Sequence, residues 1–352
     1  MDKYYNYDVS LSTAWITVNR ACNFRCKWCY AECSNYKIED DMPLELAKKI
    51  LDVLVEVGIK HVILIGGEPS MWKSVFKFSD YCKEKSVSCG MVTNACLFGD
   101  DHYWERFLES PFSSIGISVK GITEQQFENI VGAKTLYRQT MIGLERLLNY
   151  FPNSSVSIVY SNLFDYDDLL LIATRCHELG AKMFQLGGCS ATIDGNCAND
   201  EFMVDRDSFV ETILKIFPVL NELYDGRVVL EPRLPLCVFP KDFLKKLISE
   251  GQIQNMCHVQ NRSGIVFDND GYILPCNSMV EVKMGKIGKD FSNGKELLAL
   301  LNSDDIRSGY VEMLKYPSEE CTFCDLNDYC RGGCIVNWTV LDPGICHRIV
   351  EE

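Results

Sequence analysis

The chain has 352 residues, of which 47% are hydrophobic, and its formal net charge is −14. This length predicts one large domain with a smaller one, or two ordinary domains, and the acidic balance argues against a nucleic-acid partner, which would need a basic face. No apolar run reaches about 18 residues, so we expect no membrane span, and the first residues, MDKYYNYDVS, lack a secretory signal, which predicts a cytoplasmic protein.

Six short β-branched runs alternate with amphipathic stretches over the first 190 residues or so. The predicted strands are Ala14–Val18, His61–Ile65, Ser86–Thr93, Ser113–Val119, Ser155–Tyr160 and Lys182–Leu186. Helices are predicted over Pro43–Gly58, Thr135–Phe151 and Tyr166–Gly180. This alternation predicts an α/β fold with a parallel sheet and right-handed crossovers. Six units are too few for a standard eight-stranded barrel, so we expect a partial (β/α)6 barrel with ligands at the carboxyl ends of its strands.

The pattern changes after residue 187. Gly187–Asp200 is small and polar and predicts a loop, a helix is expected over Asp207–Tyr224, and the prolines of Glu231–Pro240 limit regular structure. Further on, Asp270-Gly271 predicts a hairpin turn. We therefore divide the chain into a core (1–200), a linking region (201–251) and a cysteine-rich C-terminal domain (252–352).

The chain contains 18 cysteines, and in a reducing compartment metal ligation explains them better than disulfides do. Cys22, Cys26 and Cys29 follow the first strand with the spacing C-x3-C-x2-C. Three thiolates on one loop can hold an iron–sulfur cluster and leave one iron open, as a catalytic site requires. A zinc knuckle or scattered core cysteines are the alternatives, and the position at the end of a first strand disfavours both. Cys33 is interpreted as a non-ligand.

The motif resembles the C-x3-C-x-aromatic-C signature of the radical S-adenosylmethionine (SAM) superfamily, with Trp28 as the aromatic residue. The resemblance implies a [4Fe–4S] cluster whose open iron is chelated by the amino and carboxylate groups of SAM. An electron from the cluster would then cleave SAM to methionine and a 5′-deoxyadenosyl radical, which abstracts a substrate hydrogen.

Other segments agree with this resemblance. GGEPS after the second strand is similar to the family's GGE motif, and TNACLF is similar to its TNG turn, with Ala95 in place of glycine. Lys120 stands where an acidic residue is common. The SAM contacts that the resemblance implies are Trp28, Gly66, Gly67, Glu68, Asn94, Ser118 and either Gln185 or Leu186.

Seven C-terminal cysteines resemble the SPASM extension of radical SAM enzymes. The resemblance implies two auxiliary [4Fe–4S] clusters, and therefore three clusters in all. One set would be Cys321, Cys324, Cys330 and Cys346; the other would be Cys257, Cys276 and Cys334. The second set lacks a fourth ligand, because Ser263 occupies the position of an additional cysteine in some relatives. Cys237 is the remaining candidate, and the alternative is an open iron for a substrate thiolate. A zinc ribbon fits seven cysteines less well.

SPASM-type enzymes mostly modify peptides or proteins, so the resemblance implies maturation of a ribosomally made peptide by hydrogen abstraction, followed by thioether formation, C–C crosslinking or a related oxidation. A sulfatase-type formylglycine maturase is the first alternative, but Asn277 replaces the aspartate proposed as the base in those enzymes. A radical SAM enzyme for a small molecule and a non-catalytic electron carrier are the others. We expect a flavodoxin- or ferredoxin-type electron donor. Only 13 residues precede the first predicted strand, so we expect leader recognition by the core, by a separate protein, or not at all.

Overall fold

The computed structural model describes residues 8–30, 41–151, 153–194, 197–255, 257–314, 318, 321 and 323–342. Its main feature is a ten-stranded sheet in the order β12-β11-β10-β1-β2-β3-β4-β5-β6-β9, with a separate hairpin formed by β7 and β8. The strands are β1 (Thr13–Asn19), β2 (His61–Gly66), β3 (Ser88–Thr93), β4 (Ser114–Val119), β5 (Ser155–Tyr160), β6 (Met183–Gly188), β7 (Thr192–Asp194), β8 (Cys197–Asn199), β9 (Val228–Glu231), β10 (Gly264–Phe267), β11 (Tyr272–Leu274) and β12 (Gly285–Lys286).

Helices connect the parallel strands. They are α1 (Leu44–Glu56), α2 (Val75–Glu84), α3 (Asp101–Leu108), α4 (Glu124–Val131), α5 (Tyr137–Tyr150), α6 (Tyr166–Glu178), α7 (Arg206–Leu223), α8 (Lys241–Ser249), α9 (Gly294–Leu301), α10 (Asp304–Leu314) and α11 (Asn327–Cys330). Short 3-10 turns lie at Pro69–Met71, Cys96–Gly99, Lys134–Leu136, Leu236–Val238 and Ile335–Thr339. None of the helices within the described ranges is long and apolar enough to cross a membrane.

The six predicted strands are confirmed as β1 to β6, and each pairs in parallel with the next. Their apolar side chains are buried on both faces, as expected for a parallel sheet covered by helices. Four cysteines outside the cluster motifs belong to this apolar core: Cys82, Cys89, Cys96 and Cys176 are at most 1% exposed. The α/β fold with a parallel sheet is therefore established.

The sheet extends beyond the six predicted units on both sides. β9 pairs in parallel with β6, and β10 pairs in parallel with β1, so eight consecutive strands run in one direction. β9 lies within residues 201–251, predicted as a linking region, and β10 lies within the cysteine-rich C-terminal segment. The described strands do not close into a ring, because the order ends at β12 and at β9.

The prediction of a loop over Gly187–Asp200 was wrong in part. β6 continues through Gly188, and β7 and β8 form a short antiparallel hairpin within this segment. Gly188 is needed there because a Cβ would lie 2.4 Å from the carbonyl oxygen of Pro232. The polar composition suggested an irregular segment, but tertiary contact with the strand-end region of β9 overrides it.

Candidate active site

A cavity of about 490 Å³ opens at the carboxyl ends of β1 to β6. It brings together nearly all the residues that the N-terminal motifs singled out. The predicted residues in its lining are Cys22, Cys26, Trp28, Cys29, Gly66, Gly67, Glu68, Asn94, Ser118 and Gln185. Leu186 is absent from this lining and fully buried in the core, because strand alternation turns it away from the face that Gln185 presents.

The loop that carries the three cysteines is fixed against the end of α4. The backbone N–H groups of Arg25 and Lys27 donate to the carbonyls of Val131 and Ile130, at 3.1 and 3.2 Å. The ring of Phe24 packs edge-on against Phe127, with centroids 5.4 Å apart. The loop is thus attached to a buried helix end, which holds its thiols at the cavity.

The environment of the Cys22 sulfur fits a ligand thiolate. It accepts a hydrogen bond from the backbone N–H of Phe24 at 3.3 Å, and the Asn94 side-chain amide lies 3.9 Å away. Burial raises the pKa of Cys22 to about 12, and the charge of Glu68 adds to the rise. A buried thiolate therefore requires a positive partner such as iron, and N–H donors to sulfur are the interactions that tune iron–sulfur clusters. The residues present fit a cluster held by this loop.

Glu68 is a buried carboxylate that ties three strand ends together. Its Oε1 accepts from the Ser70 hydroxyl and the Thr93 hydroxyl, both at 2.6 Å, and from the Ser70 backbone N–H at 3.1 Å. Its Oε2 accepts from the Asn94 backbone N–H at 2.8 Å. The Glu68 carbonyl oxygen in turn accepts from the Asn19 side chain at 2.9 Å. Burial raises the pKa of Glu68, and these donors oppose that rise.

Gly66 and Gly67 allow the β2 turn to approach the start of the cysteine loop. A Cβ on Gly67 would lie 2.3 Å from the Ala21 carbonyl oxygen, and one on Gly66 would lie 2.5 Å from the Asn19 carbonyl oxygen. The two glycines therefore place the Glu68 turn and the cysteine loop at the same edge of the cavity.

The opposite wall carries residues that the motif analysis did not identify. Glu231 ends β9; its Oε1 accepts from Arg233 Nε at 3.2 Å, and its Oε2 accepts from Gln185 Nε2 at 2.9 Å. Arg233 also donates from Nη1 to the Ser190 hydroxyl at 3.2 Å. Directly after β4, the Lys120 ammonium donates to Ser118 Oγ at 2.7 Å. The sequence offered no signal for Glu231 and Arg233 beyond their position in a proline-rich segment.

Three C-terminal cysteines lie together beside the cavity, and we call Cys257, Cys276 and Cys334 the inner cysteines. Burial raises the pKa of Cys257 to about 12, and the thiols of Cys276 and Cys334 raise it further. Asn277 and Ser278, directly after Cys276, line the cavity. The inner cysteines thus adjoin the cavity through the segment after Cys276, and Cys276 lies near Tyr30, directly after the N-terminal cysteine loop.

Cys237 lies with a different group, and we call Cys237, Cys321 and Cys330 the outer cysteines. Burial raises the pKa of Cys330 to about 11, and the thiols of Cys237 and Cys321 add to the rise. The backbone N–H of Leu236 donates to the Cys330 sulfur at 3.2 Å. Cys324 follows Cys321 in a tight turn, with its N–H 3.1 Å from the Cys321 carbonyl. Cys33 and Cys346 lie outside the described residues.

The thiol geometry bears on the zinc alternative. Zinc would draw four sulfurs to about 2.3 Å from a single ion. Within the described ranges, no three His, Cys, Asp or Glu side chains converge on one such point.

The parallel sheet, the three-cysteine loop and the GGE turn at one cavity define an enzyme of the radical SAM type. Residues 16–176 match the Radical SAM superfamily model, so this part of the chain is a radical SAM domain. Its fold is also that of SPASM-type structures. Streptococcus suis SuiB superposes with a TM-score of 0.68 at 17% identity, covering 97% of this chain and 77% of SuiB. The AdoMet-bound anSMEcpe gives 0.68 at 18% identity, covering 92% and 89%.

Curated relatives match a shorter stretch. The AdoMet-dependent heme synthase of Nitratidesulfovibrio vulgaris is 27% identical over 177 residues, which is 49% of this chain and 46% of that protein. The subtilosin biosynthesis protein AlbA of Bacillus subtilis is 24% identical over 173 residues, covering 49% and 38%. The match thus spans less than half the length of these relatives.

Proposed function

We propose that this enzyme modifies a ribosomally made peptide by hydrogen abstraction, followed by thioether formation, C–C crosslinking or a related oxidation. The observation that carries the proposal is a single cavity lined both by the SAM-type cysteine loop and by Asn277 and Ser278, directly after Cys276. A substrate bound between them would contact both the N-terminal and the inner cysteines. The two groups would then serve one bound substrate.

Different groups of residues in this chain would have different roles in the reaction. Cys22, Cys26 and Cys29 would hold the SAM-cleaving cluster, and Glu68 orders the turns that meet at the cavity. When bound, the cluster and SAM supply a 5′-deoxyadenosyl radical. The inner cysteines would hold one auxiliary [4Fe–4S] cluster, and Cys321, Cys324 and Cys330 would hold the other with Cys346. Trp15 and Trp28 enclose the cavity and limit the entry of water.

The structural neighbours support a peptide substrate. SuiB has been crystallised with its precursor peptide SuiA, and anSMEcpe with AdoMet and the Kp18Cys peptide. AlbA acts in the biosynthesis of a bacteriocin, subtilosin.

Asn277 lines the cavity where a base would be needed for formylglycine formation, and an amide cannot accept a proton there. We therefore place the formylglycine reaction second among the protein modifications. A separate leader-binding protein and a flavodoxin- or ferredoxin-type donor complete the proposal.

The test is the triple Cys→Ala replacement of Cys22, Cys26 and Cys29. We expect it to abolish 5′-deoxyadenosine formation and to remove about four of roughly twelve irons per chain. The matched control replaces Cys82, Cys89 and Cys176 by Ala, since these thiols lie in the core. SAM cleavage that persists in the triple variant would contradict the assignment.

Mass spectrometry of peptides encoded beside the gene, after incubation with enzyme and SAM, tests the substrate class.

A small-molecule substrate is the second candidate, because the heme-synthase relatives match 49% of this chain at 25–27% identity. The peptide proposal predicts a mass change in a co-encoded peptide. If no peptide changes in mass, while a porphyrin is converted in an amount equal to the SAM cleaved, the second candidate replaces the first.

A further inference from the structure

The wall formed by Gln185, Ser190, Glu231 and Arg233 differs in charge from the rest of the molecule. Among the described residues, and apart from the thiols, four charged side chains line the cavity: Glu68, Lys120, Glu231 and Arg233. Glu68 is engaged by donors on both oxygens. The half of the cavity away from Glu68 therefore holds two cations and one anion. The thiols of Cys276 and Cys334 also lie near Arg233, so an added anion would bind through the unengaged N–H donors of Arg233 and not through an overall positive charge.

Arg233 keeps donors available to this space. Its guanidinium has five N–H donors, of which the bonds to Glu231 and Ser190 engage two. Among the described residues, no other group accepts from it, and about a third of its side chain is exposed. Because Glu231 is also held by Gln185 on its other oxygen, the guanidinium plane is fixed while its outer edge faces the cavity.

The backbone of Arg233 is held in a costly conformation. Its φ is +59°, in the left-handed region that non-glycine residues rarely adopt. Three hydrogen bonds maintain it: its N–H donates to Asn255 at 3.1 Å, and its carbonyl accepts from the Cys334 N–H at 3.0 Å and the Asn337 amide at 3.1 Å. Strain maintained in this way occurs at functional sites. One of the inner cysteines thus helps to aim Arg233 into the cavity.

Two further observations indicate a ligand at this wall. The side-chain oxygen of Asn277 is buried in the cavity lining and has no hydrogen-bond partner within the described part of the chain, although buried polar atoms are nearly always paired. Cys189 lies between the two cations: burial raises the pKa of its thiol to about 11, and the charges of Arg233 and Lys120 lower it. Lys120 is bonded to Ser118, the predicted SAM contact, and SAM brings a single carboxylate. Arg233 remains for a second anion.

We propose that Arg233 is the substrate-recognition residue of this cavity and binds a carboxylate of the substrate, an Asp or Glu side chain next to the modified residue. Asn277 would accept an N–H of the same peptide. Arg suits this role because its planar fork matches a carboxylate and stays charged. The inference rests on the proposed peptide function for the source of the carboxylate, but the carboxylate preference itself can be tested without it.

The test uses the reconstituted full chain and three N-acetylated octapeptide libraries, selected by affinity and quantified by mass spectrometry. The first has a central Glu and an amidated C-terminus, the second a central Gln and the same amide, and the third a central Gln and a free C-terminal carboxylate. We expect the Glu library to be retained about tenfold or more over its Gln counterpart. Arg233→Gln should abolish this preference, and Arg233→Lys should keep only part of it. Arg227→Gln is the control, because Arg227 precedes β9 at its other end and is half-exposed.

Each outcome decides between two statements. Equal retention of the Glu and Gln libraries, or a preference unchanged in Arg233→Gln, overturns the carboxylate proposal while leaving peptide maturation intact. Preference for the third library alone contradicts binding of an internal Asp or Glu side chain. It assigns the bound carboxylate to the C-terminus of the peptide instead.

A labelling experiment on the unmutated enzyme tests the carboxylate site even if the variants misfold. Glutarate, but not glutaramide, should slow phenylglyoxal modification of Arg233 and leave that of Arg227 unchanged. Protection by glutarate with no peptide retained would support the carboxylate site and contradict the peptide function. Equal labelling of Arg233 with both compounds would overturn the site.

Discussion

The guanidinium of Arg20 donates to the carboxylate of Asp268, with 2.5 Å between Nη2 and Oδ1. Arg20 follows β1, directly before the cysteine loop, and Asp268 follows β10 in the C-terminal segment. Their side chains are only 5% and 11% exposed. This buried ion pair joins the residue before the three-cysteine loop to the C-terminal segment that carries Cys276.

Removal of one partner should therefore be severe. Asp268→Ala leaves the Arg20 charge buried without its counter-ion, and we expect it to cost about 3–5 kcal/mol. Replacing both residues by apolar ones of similar size, Arg20→Met with Asp268→Leu, should recover most of this loss. Thermal unfolding of anaerobically prepared protein measures both. The control is Glu211→Ala, which breaks an exposed pair with Lys215 and should change stability by less than about 1 kcal/mol. Equal stability of Asp268→Ala and Glu211→Ala would contradict the expectation.

Glu68→Gln tests the hydrogen bonds that the buried Glu68 carboxylate accepts after β2. A glutamine amide nitrogen cannot accept from the Asn94 N–H, so one buried donor loses its partner. We expect a loss of about 1–3 kcal/mol and weaker SAM binding, since the Asn94 turn lines the cavity. Thermal unfolding and equilibrium dialysis with SAM measure the two effects. Glu45→Gln on the exposed face of α1 is the matched control, and a Glu68 variant that matches it in both assays would refute this role.

Cys237→Ala tests the grouping of the auxiliary thiols. Because Cys237 lies with Cys330, we expect its replacement to alter the same EPR signal that Cys330→Ala alters. The signal that responds to Cys276→Ala should stay unchanged. Cys82→Ala, a core replacement, is the control. A spectral change that follows Cys276 instead would return Cys237 to the inner cysteines.

The pKa of Cys176 predicts its reactivity. Burial raises that pKa to about 12, so at pH 8 the thiolate fraction falls to about one in ten thousand, roughly a thousandfold below an ordinary thiol. Alkylation by iodoacetamide should be correspondingly slow and should accelerate about tenfold with each pH unit. In urea the difference should disappear. Mass spectrometry of the Cys176 peptide measures the rate, and fast labelling of the native protein at pH 8 would show the burial to be wrong.

Local patterns predicted the repeating part of the fold well. Six β-branched runs became β1 to β6, because a parallel strand buried on both faces shows its apolar character in its own residues. Cys22, Cys26 and Cys29 were found by spacing on one short loop. Both signals lie within a few adjacent residues, so no knowledge of distant contacts was needed.

The features that could not be predicted from the sequence depend on contacts between distant segments. Gly264–Phe267 was expected only as part of a hairpin, and nothing in its composition indicates that it pairs with β1. Arg233 was hidden in a proline-rich stretch, because its role comes from a left-handed backbone held by Cys334 and Asn337. Cys237 precedes the inner cysteines in sequence, yet chain folding brings it to Cys330 instead.

The pairing of β1 with β10 has a consequence for synthesis of the protein. Thr13 and Gly264 are register partners, so β1 emerges from the ribosome long before its neighbour exists. At typical elongation rates of about 5–20 residues per second, that interval is roughly ten to fifty seconds. Throughout it, one edge of a nascent apolar strand displays unpaired N–H and C=O groups, the kind of template that recruits other chains. The nascent chain should therefore depend on chaperone cover, and slower production at low temperature should favour soluble enzyme over aggregate.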